Sequence, residues 1–147
     1  MMGMVGAVID ASVAVKLVVT EPDSDSAERV VGDLTASGVW IGAPELLLVE
    51  CANALWLRVR KGSLTSKDGE TQLGVLRRIV DGFDAWPLRT LVYPAWRLAT
   101  LLGITMYDAC YVALAEIQGV PLVTADRRLV RRCAALSVRV IHLETIA

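Results

Sequence analysis

The stretch Val5-Gly6-Ala7-Val8-Ile9-Asp10-Ala11-Ser12 decides how this chain is read. Its first five residues are an apolar run with β-branched members, too short for a helix and ended by an acid. That pattern predicts a strand buried on both faces. Working outward, similar short runs recur at residues 39–41, 83–87, 121–124 and 138–143, which predicts four more strands. Helices are predicted over residues 12–19, 23–36, 44–61, 93–102, 107–118 and 127–135, with one more opened by Ser63 or Thr65 and reaching about Val80. Their ends carry recognisable signals. Asp23 or Ser24 suits a helix cap, Pro44 suits a first turn, and Gly38, Gly62, Gly103 and Gly119 each follow a helix end. Strands that are apolar throughout and alternate with helices predict an α/β domain, with a parallel sheet covered on both faces. No internal repeat, linker or low-complexity segment interrupts it.

The 147 residues suit one domain, residues 1–147. Hydrophobic residues make up 54%, and the mean hydropathy is +0.51. So apolar a chain implies a fully covered core and an apolar subunit interface. Charges such as Glu50, Arg58 and Arg97 break the longest apolar segments, so no transmembrane helix is expected. Residues 1–7 lack the basic start and long apolar run of a signal peptide, which makes the cytoplasm the expected location. Cys51, Cys110 and Cys133 are odd in number and widely spaced, and His142 is the single histidine. Neither a zinc site, a disulfide framework nor a histidine-based catalytic triad fits that inventory, and carboxylate chemistry takes precedence. The net charge of −1 does not mark a nucleic-acid binder. Two local clusters stand out nonetheless. Arg58, Arg60 and Lys61 form one, and Arg127, Arg128, Arg131 and Arg132 the other. Each is either solvated helix surface or the border of a site.

Ligands of open parallel sheets sit beyond the carboxyl ends of the strands. Asp10 follows the first strand and Asp126 the fourth, in Leu122-Val123-Thr124-Ala125-Asp126. An Asp in such a place is equally suited to capping the next helix. Glu50 and Asn53 are set one turn apart in a helix that is apolar nearly all round, where unpartnered polar groups are costly. Glu45, by contrast, is explained by the dipole of the helix's first turn. Asp108 is the only acid from Leu98 to Ala115, and Thr105 stands three residues before it, as in a capping box. Four carboxylates drawn together would need a hard cation. With only oxygen donors, that cation is Mg²⁺ or Mn²⁺ rather than zinc.

At this point the motifs resemble those of the PIN-domain family, and within it the VapC-type toxins. The likeness spans nearly the whole chain. It rests on Val8-Ile9-Asp10-Ala11-Ser12-Val13-Ala14-Val15-Lys16, on Pro44-Glu45-Leu46 leading to Glu50-Cys51-Ala52-Asn53-Ala54-Leu55, on Tyr107-Asp108-Ala109-Cys110-Tyr111-Val112-Ala113-Leu114-Ala115, and on Leu122-Val123-Thr124-Ala125-Asp126. The resemblance implies a three-layer α/β/α domain with a five-stranded parallel sheet in the order 3-2-1-4-5. It implies a metal-binding acid cluster of Asp10, Glu50, Asp108 and Asp126, supported by Ser12 and Thr124, with Asn53 orienting Glu50. It also implies an Mg²⁺- or Mn²⁺-dependent endoribonuclease toxin leaving 5′-phosphate and 3′-hydroxyl ends. Transfer RNA is a common target in the family, and a cognate antitoxin the expected partner. The arginines at 127, 128, 131 and 132 follow Asp126 directly and are candidate RNA contacts.

Two other functions compete. A binding module would keep the acid cluster as a relic and act by holding a partner. A phosphoacceptor domain would need paired acids at the first strand and a lysine after the last, and the chain has neither. Trp40, Trp56, Trp86 and Trp96 are expected in core or interface packing rather than stacked on bases. Trp56 and Leu57 on so apolar a helix point to a homodimer.

Overall fold

The computed structural model describes residues 3–146; Met1, Met2 and Ala147 lie outside them. Strand β1 (Gly6–Ile9) runs through the middle of the molecule with all four residues buried. It pairs with β2 (Trp40–Pro44) on one side and with β4 (Leu122–Thr124) on the other. Beyond these lie β3 (Asp84–Trp86) and β5 (Val140–His142), giving the parallel order β3-β2-β1-β4-β5. Parallel neighbours need crossover connections, and helices supply them.

Helix α6 (Met106–Gln118) lies against β1 and β2, and its residues from Ala109 to Ala115 are all buried. A helix buried on every side needs no polar stripe, which is why this segment reads as continuously apolar. Helix α5 (Val92–Leu102) packs on α6, α2 (Ser24–Ala36) on β2, and α3 (Leu47–Arg60) on α4 (Ser66–Val80). Ile9, Leu34, Leu47, Leu76, Leu91, Leu114, Leu122 and Leu143 are among the largest side chains wholly withdrawn from water. Each such burial is worth about 1.5–3 kcal/mol. No single helix among the described residues is long and apolar enough to cross a membrane; α5 and α6 reach that length only together, with a bend of 113° between them. The three cysteines are free and buried.

Several boundaries differ from the sequence reading. Pro44 ends β2 rather than opening a helix. Pairing with β1 stops at Val8↔Gly42, so the N–H that Pro44 lacks would face a side where β1 has already ended, and its absence costs no ladder bond. The Glu45 N–H then donates to the Trp86 carbonyl at 2.9 Å, prolonging the ladder, and α3 begins two residues later. Glu45 therefore precedes the helix rather than lying in its first turn. The helix expected over residues 12–19 is a short α1 (Ala11–Ala14) followed by a 3₁₀ turn, Val15–Leu17. A further 3₁₀ turn, Leu88–Thr90, precedes α5. Helix α7 (Arg127–Arg132) stops short of residue 135, and β5 hands over at Leu143 to a short α8 (Leu143–Ile146). Thr65 rather than Ser63 caps α4, accepting the Asp68 N–H at 3.0 Å.

The tryptophans fall into two groups. Trp40 and Trp86 are half-buried, and both indole N–H groups donate to Asp84 Oδ2, at 3.0 and 3.2 Å. Trp56 and Trp96 are 55% and 60% exposed, so neither is a core residue. The Trp40 ring lies over Gly42, where any added Cβ would strike it. Gly42→Ala should therefore destabilise the protein by about 1–3 kcal/mol, the usual cost of overpacking. An unchanged midpoint in denaturant unfolding would mean that the ring moves aside freely.

Candidate active site

Strands β1 and β4 are neighbours, yet the chain leaves them in opposite directions across the sheet. Asp10 comes immediately after β1 and Asp126 two residues after β4, so both stand at the crevice where such sheets bind ligands. Asp10 caps α1 and is 6% exposed. Its Oδ1 accepts from Ser12 Oγ at 2.5 Å and from the Val13 N–H at 3.3 Å. Ser12 Oγ accepts in turn from the Ala125 N–H at 2.9 Å and stands 3.3 Å from Thr124 Oγ1. Thr124, fully buried, takes the Asp126 N–H at 3.1 Å. Two hydroxyls thus tie the loops after β1 and β4 into one unit.

Asp108 and Glu50 reach this edge from helices. Asp108 lies in the first turn of α6, and its N–H donates to the capping Thr105 Oγ1 at 3.1 Å. With Asp126 it lines a cavity of about 80 Å³ shared with Thr105, Arg128, Leu129 and Arg132. Glu50, half-buried on α3, accepts the Tyr111 hydroxyl at 2.7 Å. Asn53 is exposed and makes no hydrogen bond to Glu50 among the described residues. The group that orients Glu50 is therefore Tyr111, not Asn53.

Burial dominates the electrostatics. Withdrawal from water pushes the Asp10 carboxyl up to about 6, against the pull of Ser12, Thr124 and the Val13 N–H, and the Asp108 charge adds to the rise. Glu50 is raised by burial and then by Asp108, and Asp108 by burial and then by Asp126. Arg128 opposes the rise at Asp108. Cys51 is driven to about 12 by burial, then by Glu50 and Asp10. The negative field of the cluster therefore reaches well into the core. The ion pairs among the described residues are Lys16 and Arg58 with Glu21, Arg77 with Asp81, and Arg127 with Glu144. None involves Asp10, Glu50, Asp108 or Asp126.

The four side chains share an edge without converging on a point. Among the described residues no three acids, cysteines or histidines stand so as to hold one ion. Asp126 is turned into its own helix, with Oδ1 accepting the N–H groups of Arg128 at 2.9 Å and Leu129 at 3.2 Å. Asp10 and Asp126 thus each cap the helix that follows. Hard oxygen donors, with none of the four in an ion pair among the described residues, nonetheless match the chemistry of a divalent cation.

Two residues escaped the sequence reading. Tyr111 lies three residues after Asp108, a helical spacing that puts both on one face, and that was the available signal. His142 is buried in β5, with Nε2 3.1 Å from the Ala125 carbonyl and Nδ1 accepting the Glu144 N–H at 3.2 Å. It braces the loop carrying Asp126, and a contact between residues 17 apart leaves no local pattern to read.

Two expectations follow from this geometry. Removing the phenol hydroxyl in Tyr111→Phe should cost about 1–3 kcal/mol, as for a hydrogen bond to a charged group, whereas Asn53→Ala should stay within about 0.5 kcal/mol. Equal effects in denaturant unfolding would return the orienting role to Asn53. Because Asp10 binds its proton more tightly when folded, stability should fall as pH rises from about 4 to about 6, by up to about 3 kcal/mol. In EDTA, Asp10→Asn should gain on the unaltered protein across that window, and added Mg²⁺ or Mn²⁺ should narrow the gap at pH 7. A difference independent of pH would refute the burial cost.

The family model of the PIN domain matches residues 7–135. Ribonuclease VapC3 of Pyrobaculum aerophilum is 35% identical over 129 residues, spanning 88% of this chain and 95% of that protein. Ribonuclease VapC12 of Mycobacterium tuberculosis is 33% identical over 122 residues, covering 83% and 88%. The crystal structure of PAE2754 from Pyrobaculum aerophilum superposes with a TM-score of 0.67 at 26% identity, over 96% of this chain and 92% of that one. VapBC2 from Rickettsia felis, bound to a DNA fragment from its promoter, gives a TM-score of 0.67 at 15% identity over 93% and 98%, a likeness of fold alone. An all-parallel 3-2-1-4-5 sheet, acids at its switch point and relatives that share a third of their residues over most of the chain place this protein in the PIN-domain family, beside the VapC ribonucleases.

Proposed function

We propose that this protein is a divalent-metal-dependent endoribonuclease, the toxin of a toxin–antitoxin pair. The observation that carries this reading is the gathering of Asp10, Glu50, Asp108 and Asp126 from four chain segments at one sheet edge, with Asp10, Glu50 and Asp108 raised in pKa and none of the four in an ion pair among the described residues. The names of its relatives, ribonucleases VapC3 and VapC12, support it. Asp10, Asp108 and Asp126 would hold one or two Mg²⁺ or Mn²⁺ ions, with Glu50 directly or through water. Such an ion, when bound, lowers the pKa of water and steadies charge on a phosphodiester.

The chain's own residues prepare that chemistry. Ser12 fixes the rotamer of Asp10 and, with Thr124, holds the Asp126 loop against it. Tyr111 aims Glu50, and α6 carries Tyr111 and Asp108 on one rigid face. The substrate is RNA, with transfer RNA a common target in the family, cut to leave 5′-phosphate and 3′-hydroxyl ends. A cognate antitoxin restrains the enzyme, and a basic side chain offered to the acids would neutralise them much as a cation does. Trp56 and Leu57, both exposed, give α3 an apolar face suited to a homodimer. The protein acts as one domain in the cytoplasm.

One observation favours a second reading, a binding module without nuclease activity: the Asp126 carboxylate is engaged with its own helix rather than aimed at its neighbours. A single experiment separates the two. Expressed without an antitoxin, the protein should arrest growth and cleave cellular RNA. Asp10→Asn and Asp108→Asn should abolish both while folding normally, and EDTA should stop cleavage in vitro. Full cleavage by either variant, or in excess EDTA, would refute the enzyme.

A further inference from the structure

Helix α7 carries four arginines in six residues, and its geometry sorts them. Residues one turn apart share a face, so Arg128 lies beside Arg132, and Arg127 beside Arg131. Leu129 is buried and anchors the helix to the core. The two faces meet different surroundings. Arg127 is ion-paired with Glu144, whose N–H is held by buried His142. That arginine ties α7 to α8.

Arg128 and Arg132 instead line the cavity that holds Asp108 and Asp126. The charge of Arg128 acts on Asp108. Arg132 Nη1 reaches the Leu102 carbonyl at 3.5 Å, at the carboxyl end of α5, where a cation is favoured. Neither forms a salt bridge with a carboxylate among the described residues. Two guanidiniums one turn apart repel each other, and an anion between them relieves that repulsion. Their planar forks match phosphate oxygens. The acids beside them repel any polyanion, and these two cations offset that field where a strand would approach.

We propose that Arg128 and Arg132 together grip a backbone phosphate of the RNA strand next to the bond to be cut, while Arg127 and Arg131 take no part. This rests on the ribonuclease reading above. Asp10→Asn provides a background that does not cut RNA, and an unstructured oligouridine in EDTA provides the probe. Binding is followed by fluorescence anisotropy across a series of monovalent salt concentrations. Arg128→Gln and Arg132→Gln should each reduce the slope of log affinity against log salt, and the double variant should lose about 0.7 in all, one phosphate contact on a single strand. Lysine at either position should restore it, and Arg127→Gln and Arg131→Gln should leave it unchanged. Equal losses from all four, or none from Arg128 and Arg132, would overturn the grip and leave the ribonuclease reading standing. Failure of the background protein to bind the oligonucleotide even at low salt would overturn both.

Discussion

Strand β1 has no polar side chain and no exposed residue, and it delivers Asp10 to its own carboxyl end with 6% of the residue exposed. A carboxylate in that position is expensive, and the arrangement around it answers the expense. Ser12, Thr124 and the Val13 N–H surround it with donors, yet burial still outweighs them. Those same donors stitch the β1 and β4 loops together. The rigidity of the site and the cost of Asp10 therefore have one source: the parallel pairing of β1 with β4, which leaves the two loops side by side.

The helices contribute in a different way. Helix α6 is buried along most of its length, so its position is set by the core rather than by its own propensity. It carries Asp108, half-buried, in its first turn and Tyr111 one turn deeper. Tyr111 then reaches Glu50 on α3, which the sequence separates from it by 61 residues. A packing element thus doubles as the ruler that spaces two acidic groups, Asp108 and Glu50. Shifting α6 by one turn would break Glu50's support and move Asp108 together, so substitutions in its apolar interior bear on the site without touching it.

Much of this was legible in the residues. Short apolar runs between helical segments specified a parallel sheet, because a strand covered on both faces has no reason to alternate. The acids at the ends of β1 and β4 stood out because the carboxyl edge is where such sheets bind ligands. What escaped was set by contacts distant in sequence. Pro44 looks like a helix opener until the early end of the β1–β2 pairing is known. Asn53 is a plausible neighbour for Glu50 at one turn's spacing, but rotation of α3 leaves it in solvent and brings Tyr111 from another helix. His142 served the sequence reading only as an argument against histidine chemistry, and its part behind the Asp126 loop arises from β5 lying beside β4.

The pair of indoles that share Asp84 has a meaning beyond local packing. Strand β3 is an outer strand of the sheet, with Asp84 and Ala85 exposed. An unprotected outer strand is a template onto which a foreign chain can add, and that is the usual start of aggregation. Here the Trp40 indole reaches across from β2 to the Asp84 carboxylate, which Trp86 also holds, and so ties the outer strand to its inner neighbour. In so apolar a chain, that clasp holds the outer strand in register and leaves less of it free to pair elsewhere.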